Sequence, residues 1–275
     1  MPGSPFQECK QMKTIAITGA ASGIGKATSE QLQSEGHRTI GVDINACDIV
    51  ADLSKPDGRK AAVDAILEQC NGELDGFVPC AGLTGLPDRP GSIIPSLNYF
   101  GTIDMIEGLH DALAAGSAGS VVAICSNSSS TSPIPMAVLE ACVAGDEAAA
   151  REAADKAGSI ISYGASKLAI ARWIRSRSIT PEWIGQGINL NAVAPGMIAT
   201  AMIDEGRADP ILSKALDNFE IPVGRMGSAQ EIADLICFML GDKGRFMVGS
   251  IVYIDGGTDA QYRTDAWPTP IHEMN

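Results

Sequence analysis

The sequence predicts a single α/β domain with a doubly wound parallel sheet. Short apolar segments alternate with amphipathic ones along the chain, which is typical of repeated βαβ units. Apolar residues make up 45% of the 275 residues and charged residues 19%, a composition that suits a sheet covered by helices on both faces. No change in composition and no linker divides these segments. We therefore expect one domain.

The predicted elements follow one another in βαβ order. The first strand, 13–18, leads into a glycine-rich turn, and the first helix, 25–36, ends at Gly36. Short apolar segments predict further strands at 38–43, 74–79, 120–125, 188–193 and 250–255. Helical periodicity predicts further helices at 56–70, 163–177 and 229–240.

Composition excludes several classes of protein. The net charge of −13 argues against binding nucleic acid or an anionic membrane surface. The N-terminus lacks the apolar segment of a secretory signal, and no stretch is long enough to span a membrane. Seven scattered cysteines and three distant histidines predict neither a disulfide framework nor a metal site. We expect a cytoplasmic protein without metal.

A glycine-rich turn indicates a phosphate-binding site. Gly19, Gly23 and Gly25 lie between the first strand and the first helix, which is the context of a dinucleotide-binding turn. Glycines there let backbone amides and the helix N-terminus approach a pyrophosphate. The spacing differs from the common G-x-G-x-x-G, so an ordinary strand–helix turn is the alternative.

Asp43 indicates which dinucleotide would bind. It ends the second predicted strand, where a carboxylate can accept hydrogen bonds from both hydroxyls of an adenosine ribose. The same charge would repel a 2′-phosphate, so NAD is favoured over NADP. The alternative is that Asp43 caps a turn with Asn45.

Tyr163 and Lys167 form a candidate proton-transfer pair. Four residues apart on a predicted helix, their side chains share one face. A nearby ammonium favours the phenolate and would lower the tyrosine pKa from its usual value of about 10. A tyrosine with such a pKa can exchange a proton with an alcohol or carbonyl. By itself the pair could equally be two solvated surface residues.

Further motifs resemble those of the short-chain dehydrogenase/reductase family, in the family's order, over residues 14–257. They are the glycine turn, Asp52, Cys80-Ala-Gly82, Asn98-Tyr-Phe-Gly101, Ser126, Tyr163 with Lys167, and Pro195-Gly-Met-Ile-Ala-Thr200. The chain is most similar to the bacterial 3α-hydroxysteroid dehydrogenase/carbonyl reductase subgroup. The resemblance implies a Rossmann fold and hydride transfer between NAD and an alcohol or carbonyl compound.

The resemblance implies four catalytic residues. Tyr163 would be the general base for alcohol oxidation and the general acid for reduction. Lys167 would lower the pKa of Tyr163 and hold the nicotinamide ribose. Ser126 would donate a hydrogen bond to the substrate oxygen. Asn98 would hold a water that passes the proton from Lys167 to solvent.

The resemblance also implies which residues surround the cofactor. These are Gly19, Ser22, Gly23, Ile24, Gly25, Asp43, Asp52, Leu53, Cys80, Ala81, Gly82, Tyr163, Lys167, Pro195, Gly196, Ile198 and Thr200.

Residues that follow the serine, the tyrosine and the Pro-Gly segment are expected to bind the substrate. The candidates are Ser128, Pro133, Ile134, Met136, Met197, Ile198, Met202 and Ile203. Most are apolar, and methionine adapts to varied shapes, so we expect a hydrophobic secondary alcohol or ketone such as a steroid, terpenoid or aromatic carbinol. Alternatively, several of these methionines fill the core.

Three assignments have alternatives. Ser128 or Ser129 could be the functional hydroxyl in place of Ser126, because all lie in one polar run. Asn98 could be a helix N-cap. Cys80 stands where most members of the family have asparagine, and we expect a small core residue there rather than a reactive thiol.

The chain departs from the family pattern before Tyr163. Thirty-six residues, 127–162, separate Ser126 from Tyr163, many more than is usual in the family. Residues 136–157 are rich in Ala and Glu with apolar residues at helical spacing, which predicts a helical insertion. We expect the insertion to roof the substrate pocket and to block one subunit interface common in the family. The alternative is a surface insertion with no catalytic part.

The ends of the chain extend beyond the predicted catalytic domain, 12–257. Residues 1–11 are expected to be a flexible leader, and Met12 could be the true start. The tail, 258–275, contains Tyr262 and Trp267 and could be an ordered flap or a frayed end.

The predicted function is NAD-dependent interconversion of a hydrophobic secondary alcohol and its ketone. One alternative is a catalytically quiet NAD-sensing protein on the same fold. Another is an epimerase or dehydratase that returns its hydride to the substrate. In each case a homodimer or homotetramer is expected.

Overall fold

The computed structural model describes residues 11–270, in which a seven-stranded sheet forms the centre of the molecule. Its strands run β3-β2-β1-β4-β5-β6-β9, and every neighbouring pair is parallel. They are β1 (Thr14–Thr18), β2 (Arg38–Asp43), β3 (Ile49–Val50), β4 (Gly76–Pro79), β5 (Ser120–Ile124), β6 (Asn189–Pro195) and β9 (Ile251–Ile254). A separate parallel pair joins β7 (Ile198–Ala199) to β8 (Gly227–Ser228).

Helices connect the strands. The α-helices are α1 (Gly23–Ser34), α2 (Pro56–Gln69), α3 (Gly101–Gly108), α4 (His110–Ala115), α5 (Ser128–Thr131), α6 (Met136–Val143), α7 (Glu147–Ala157), α8 (Ser159–Arg177), α9 (Ala201–Arg207), α10 (Pro210–Asp217), α11 (Ala229–Leu240) and α12 (Thr258–Tyr262). A π-helix covers Pro95–Phe100, and short 3₁₀ turns cover Ile184–Gln186 and Asp242–Gly244.

The sheet is buried on both faces. Alternate residues of β1 illustrate this, because Ala16 packs into one apolar cluster and Ile15 and Ile17 into another. All residues of β4, β5 and β6 are buried. The predicted fold class, a single doubly wound domain, is confirmed. Two helices begin earlier than predicted, α1 at Gly23 and α8 at Ser159.

The strand order places a crevice at one edge of the sheet. Connections run outward in opposite directions from β1 and β4, so the loops that follow these two strands diverge. In open parallel sheets, ligands bind at such a switch point, outside the carboxyl ends of the strands. Cys80 and the glycine turn follow the two strands at this point.

The insertion before Tyr163 forms the two helices α6 and α7. They are separated by a turn at Gly145, whose φ of 75° lies in the left-handed region that favours glycine. Asp146 caps α7 by accepting a hydrogen bond from the Ala149 amide at 2.9 Å. Both helices pack against the π-helix and α8. The proposed block of a subunit interface by this insertion stays a prediction.

A buried arginine joins the insertion to the rest of the domain. Arg59 on α2 is 2% exposed and forms ion pairs with Asp104 on α3 and Glu147 on α7, each at 2.7 Å. Its Nε donates to the Leu53 carbonyl at 2.9 Å. Burial alone would raise the pKa of Glu147, but hydrogen bonds from Arg59 and Ser96 outweigh burial and lower it.

Arg59→Met should lower the free energy of unfolding by about 2–4 kcal/mol, because two carboxylates lose their shared partner. Urea unfolding followed by circular dichroism measures this change. The matched control is Lys60→Met, which breaks the exposed pair between Lys60 and Asp64 and should leave stability unchanged.

The Arg59→Met effect should shrink in acid. The lowered pKa of Glu147 means that its contribution is complete above the unfolded-state pKa and is lost as the pH falls through the folded-state pKa. Equal stability of the two variants at neutral pH would show that the Arg59 cluster does not hold the insertion.

Candidate active site

A cavity of about 630 Å³ lies along the carboxyl ends of the central strands. Its size suits a small-molecule site. The residues that line it are Gly19, Ser22, Gly23, Ile24, Gly25, Asp43, Ile44, Asn45, Ala51, Asp52, Leu53, Ser54, Cys80, Ala81, Gly82, Leu83, Thr84, Ile93, Leu97, Ile124, Cys125, Ser126, Asn127, Ser128, Tyr163, Lys167, Pro195, Gly196, Met197, Ile198, Thr200, Ala201, Met202, Ile203, Leu216 and Phe219.

The glycine turn fits a pyrophosphate. Gly19 has a φ of 67°, and a Cβ there would lie 2.9 Å from the Ala81 amide nitrogen. A Cβ at Gly25 would collide with the Gly19 carbonyl oxygen. These close approaches bring the N-terminus of α1 to the cavity, where its first-turn amides, including that of Gly23, can donate to an anion.

Two carboxylates line the cavity at the ends of β2 and β3. Asp43 accepts from the Ala21 amide at 3.1 Å and from the Asn45 amide at 2.9 Å, so it does cap the turn, and it also lines the cavity. Hydrogen bonds from Ser54, opposed by burial, hold the pKa of Asp52 below its usual value. Asp52 therefore keeps its negative charge beside the cavity.

Ser126, Tyr163 and Lys167 converge on the middle of the cavity. Ser126 follows β5, and its Oγ accepts a hydrogen bond from the Ser128 amide at 3.2 Å. Lys167 on α8 donates from Nζ to the Ile124 carbonyl at 2.9 Å, and Nζ lies 5.8 Å from the centre of the Tyr163 ring. Three segments distant in sequence thus place a hydroxyl, a phenol and an amine around one space.

The pKa of Tyr163 is raised, contrary to the predicted lowering. Burial raises the pKa of Tyr163, although a hydrogen bond with Ser126 partly offsets it. Burial also lowers the pKa of Lys167. The amine is turned toward the Ile124 carbonyl, and burial outweighs any effect of Lys167 on the phenol.

Asn98 lies behind the cavity rather than on its wall. Its side chain is fully buried in the π-helix, where Nδ2 donates to the Leu83 carbonyl at 3.0 Å and Oδ1 accepts from the Leu83 amide at 2.8 Å. The alternative of a helix N-cap is therefore wrong. A Cβ at Gly82 would lie 3.1 Å from Asn98 Oδ1 and 3.6 Å from Lys167 Nζ, so glycine keeps the space between them open. The predicted water-binding role of Asn98 stays a prediction.

Two thiols lie on the floor of the cavity. Burial raises the pKa of Cys80 and of Cys125 to about 12, although Lys167 partly offsets it for both. Both are therefore protonated and unreactive at neutral pH. This agrees with the expected inert role of Cys80, although it lines the cavity rather than the core alone.

Most predicted site residues lie on the cavity wall, with three exceptions on the substrate side. Every predicted cofactor-binding residue lines the cavity, as do Ser128, Met197, Met202 and Ile203. Pro133, Ile134 and Met136 do not, and their assignment as substrate contacts stays a prediction. Met136 begins α6 and is 49% exposed, because the chain turns away from the cavity after α5.

The insertion does not roof the cavity, contrary to expectation. No residue of 136–157 lines it, whereas α9 and α10 supply Ala201, Met202, Ile203 and Leu216, with Phe219 following. Thr84, Ile93 and Leu97 line the facing side. Met202 and Ile203 were among the predicted substrate residues, whereas Ala201, Leu216, Phe219, Thr84, Ile93 and Leu97 were missed. The apolar periodicity of 202–219 after the Pro-Gly segment was the available signal for Leu216 and Phe219.

The described part of the tail does not cover the cavity either. Residues 258–262 form α12, and no residue of 258–270 lines the cavity. The predicted leader falls almost entirely on residues 1–10, which lie outside the described range, as do tail residues 271–275.

Within residues 11–270, no helix is long and apolar enough to cross a membrane. The same residues contain no cluster of His, Cys, Asp and Glu side chains that could hold a metal ion.

A doubly wound sheet, an anion-binding turn at its switch point and a Ser–Tyr–Lys set define a dinucleotide-dependent oxidoreductase fold and site. The family model for short chain dehydrogenases matches residues 13–156, and the model described as enoyl-(acyl carrier protein) reductase matches residues 148–259. The chain belongs to the short-chain dehydrogenase/reductase family.

Several relatives match most of the chain. It is 35% identical to the 3α-hydroxysteroid dehydrogenase/carbonyl reductase of Comamonas testosteroni over 260 residues, covering 92% of this chain and 98% of the relative. It is 28% identical to the coniferyl-alcohol dehydrogenase of Pseudomonas sp. HR199, with coverage of 91% and 98%. The crystal structure of 3α-hydroxysteroid dehydrogenase from Pseudomonas sp. B-0831, complexed with NADH, has a TM-score of 0.88, 39% identity, and coverage of 92% and 99%.

Removing the Ser126 hydroxyl should raise the pKa of Tyr163 further. A hydrogen bond with Ser126 lowers this pKa, so in Ser126→Ala the phenolate forms at higher pH. Alkaline titration of tyrosinate absorbance, with Tyr163→Phe subtracted to isolate this residue, measures the change. Ser128→Ala is the control, because Ser128 Oγ has no hydrogen-bond partner in the described residues. An unchanged Tyr163 midpoint in Ser126→Ala would contradict the assignment.

Proposed function

We propose that the protein is an NAD-dependent oxidoreductase that interconverts a hydrophobic secondary alcohol and its ketone. The observation that carries the proposal is the convergence of Ser126, Tyr163 and Lys167 on a cavity that also contains the glycine turn. Relatives named as dehydrogenases and carbonyl reductases over almost the whole chain support it.

The proposed chemistry divides between cofactor and protein. Bound NAD accepts the hydride in oxidation, and bound NADH supplies it in reduction. Tyr163 gives a proton to the carbonyl oxygen in reduction and takes it from the alcohol in oxidation. Because burial raises the pKa of Tyr163, the phenol is ready to act as an acid at neutral pH, and oxidation should speed up as the pH rises.

Ser126 and Lys167 would orient the reacting groups. The hydroxyl of Ser126 lines the cavity with Tyr163 and lowers its pKa, so both can point at one substrate oxygen and stabilise the charge that develops there. The Lys167 ammonium has three donors and uses one on the Ile124 carbonyl. We propose that the others hold the nicotinamide ribose hydroxyls.

The acidic end of the cavity supports NAD as the cofactor. Asp43 lines the cavity at the end of β2, where its carboxylate can accept from both ribose hydroxyls. Asp48 lies on the same loop, so a 2′-phosphate would meet two negative charges.

The other end of the cavity supports a hydrophobic substrate. Seven large apolar residues line the cavity: Ile93, Leu97, Met197, Met202, Ile203, Leu216 and Phe219. Steroids, terpenoids and aromatic carbinols share the required chemistry, a secondary alcohol on a large apolar body. Methionines at this wall can adapt to different ring shapes.

Assembly and compartment complete the proposal. The edge strand β9 leaves Ile251–Ile254 partly exposed, and pairing with a second copy would cover such an edge, so we propose a homodimer or homotetramer.

All six cysteines in residues 11–270 are free, which supports a reducing compartment such as the cytoplasm.

NADH formation should appear with at least one hydrophobic secondary alcohol and depend on Tyr163. A panel of steroid, terpenoid and aryl alcohols is assayed by NADH absorbance, and Tyr163→Phe should lower kcat by about 10²- to 10⁴-fold because proton transfer is lost. Tyr262→Phe is the matched control, since Tyr262 is 61% exposed and outside the cavity.

Two outcomes would point to other functions. Substrate conversion without net NADH would indicate an epimerase or dehydratase. NAD binding without any conversion across the panel would indicate the catalytically quiet alternative.

Asp43→Asn should shift cofactor preference toward NADP. Loss of the negative charge removes the repulsion of a 2′-phosphate, so the NADP-to-NAD ratio of kcat/KM should rise about tenfold or more. Asp48→Asn is the control, because Asp48 carries a neighbouring charge but does not line the cavity. Equal shifts in both variants would mean that Asp43 acts through general charge and not by direct contact.

A further inference from the structure

The C-terminal segment after β9 touches the polar turn that carries Ser126. Ser130 on α5 donates from Oγ to Asp259 Oδ1 at 2.5 Å. Asp259 on α12 is 6% exposed, so this carboxylate is buried although it follows the last strand of the sheet. The contact joins residues 129 positions apart in the sequence.

Asp259 is itself rigidly held. Its amide donates to Asp255 Oδ2 at 2.6 Å, and its carboxylate accepts two hydrogen bonds from Arg263, each at 2.8 Å. The Arg263 guanidinium lies between two aromatic rings, 5.3 Å from the centre of Tyr253 and 5.4 Å from that of Trp267. A paired and stacked cation therefore fixes the buried carboxylate from behind.

Ser130 belongs to the short turn that anchors Ser126. The Ser129 amide and hydroxyl donate to the Ser126 carbonyl at 3.1 and 2.7 Å. The Ser130 amide donates to the Asn127 carbonyl at 3.0 Å, and the Ser130 hydroxyl oxygen lies 3.0 Å from the same carbonyl. A helix of four residues, Ser128–Thr131, is too short to be stable by itself, so outside contacts must fix it.

We propose that Asp259, clamped by Arg263, is a positioning residue that holds the Ser128–Thr131 turn and so aims the Ser126 hydroxyl at the substrate oxygen. The tail residues 258–270 do not line the cavity, so they act through this turn and not by contact with a ligand. This inference rests on the proposed catalytic role of Ser126.

The first test compares Ser130→Ala with Thr131→Ala. Both remove a hydroxyl whose oxygen lies 3.0 Å from the Asn127 carbonyl, but only the Ser130 hydroxyl donates to Asp259. Ser130→Ala should lower kcat about tenfold or more, because small displacements of a reacting group are costly. The KM values for NAD and for the alcohol should stay within about twofold of those of the wild type. The melting temperature should stay within a few degrees of the wild-type value. Thr131→Ala should keep wild-type kcat.

A double-mutant cycle tests the path through the Ser130–Asp259 bond. Asp259→Asn removes the charge and keeps an acceptor oxygen, so the fold is retained while the pairing with Arg263 weakens. If the two residues act through one contact, Ser130→Ala combined with Asp259→Asn should be no slower than the slower single variant. Multiplicative losses of kcat would overturn the proposal.

Hydrogen exchange supplies a readout that does not depend on turnover. Amides of residues 126–131 should exchange faster in Ser130→Ala and Asp259→Asn than in the wild type, and at the wild-type rate in Thr131→Ala. Unchanged exchange in Ser130→Ala would refute the proposal that Asp259 holds the Ser128–Thr131 turn. If the proposed function were wrong, the wild type would form no NADH, yet the exchange comparison would still decide whether the tail holds the turn.

Discussion

The buried amine of Lys167 is the constraint on which the site depends. It sits on α8 and donates to the carbonyl of Ile124 at the end of β5, so one hydrogen bond fixes a helix against the centre of the sheet. A buried amine without an acceptor would be costly, which makes this contact a strong determinant of how the helix lies. Tyr163 lies one helical turn before Lys167, so the same contact also sets the position of Tyr163 beside Ser126.

The sequence predicted those parts of the site that depend on residues close together in the chain. Tyr163 and Lys167 share a helix face, and Gly19 and Gly25 carry the steric demands of one turn, so a few adjacent residues were sufficient for each. Asp43 was recognisable because the end of the second strand has a fixed place next to the first.

Other parts depend on the path of the chain through space. Nothing between Ser126 and Tyr163 indicates that the chain leaves the cavity after α5, so the sequence did not show that Pro133 and Met136 lie off the cavity wall. Phe219 reaches the wall only because α9 and α10 fold back over the cavity. The direction of the Tyr163 pKa shift also required the structure, because it is set by burial and not by spacing.

The two departures from the family pattern have separate structural roles. The insertion is fixed on the outside of α8 and the π-helix, with Arg59 as its main polar anchor. The tail lies against the serine turn, because Asp259 accepts a hydrogen bond from Ser130. One addition is thus remote from the cavity, and the other supports its wall from behind.

The Gly145 turn between α6 and α7 is a suitable site for inserting a foreign sequence. It is exposed, a Cβ there would meet no atom within 4 Å, and neither adjoining helix lines the cavity. Exposed loop tips of this kind are the positions at which foreign sequences are accepted most readily. A fluorescent label, an affinity tag or a second enzyme domain could be joined at this turn, leaving both chain ends and the lining of the cavity unchanged.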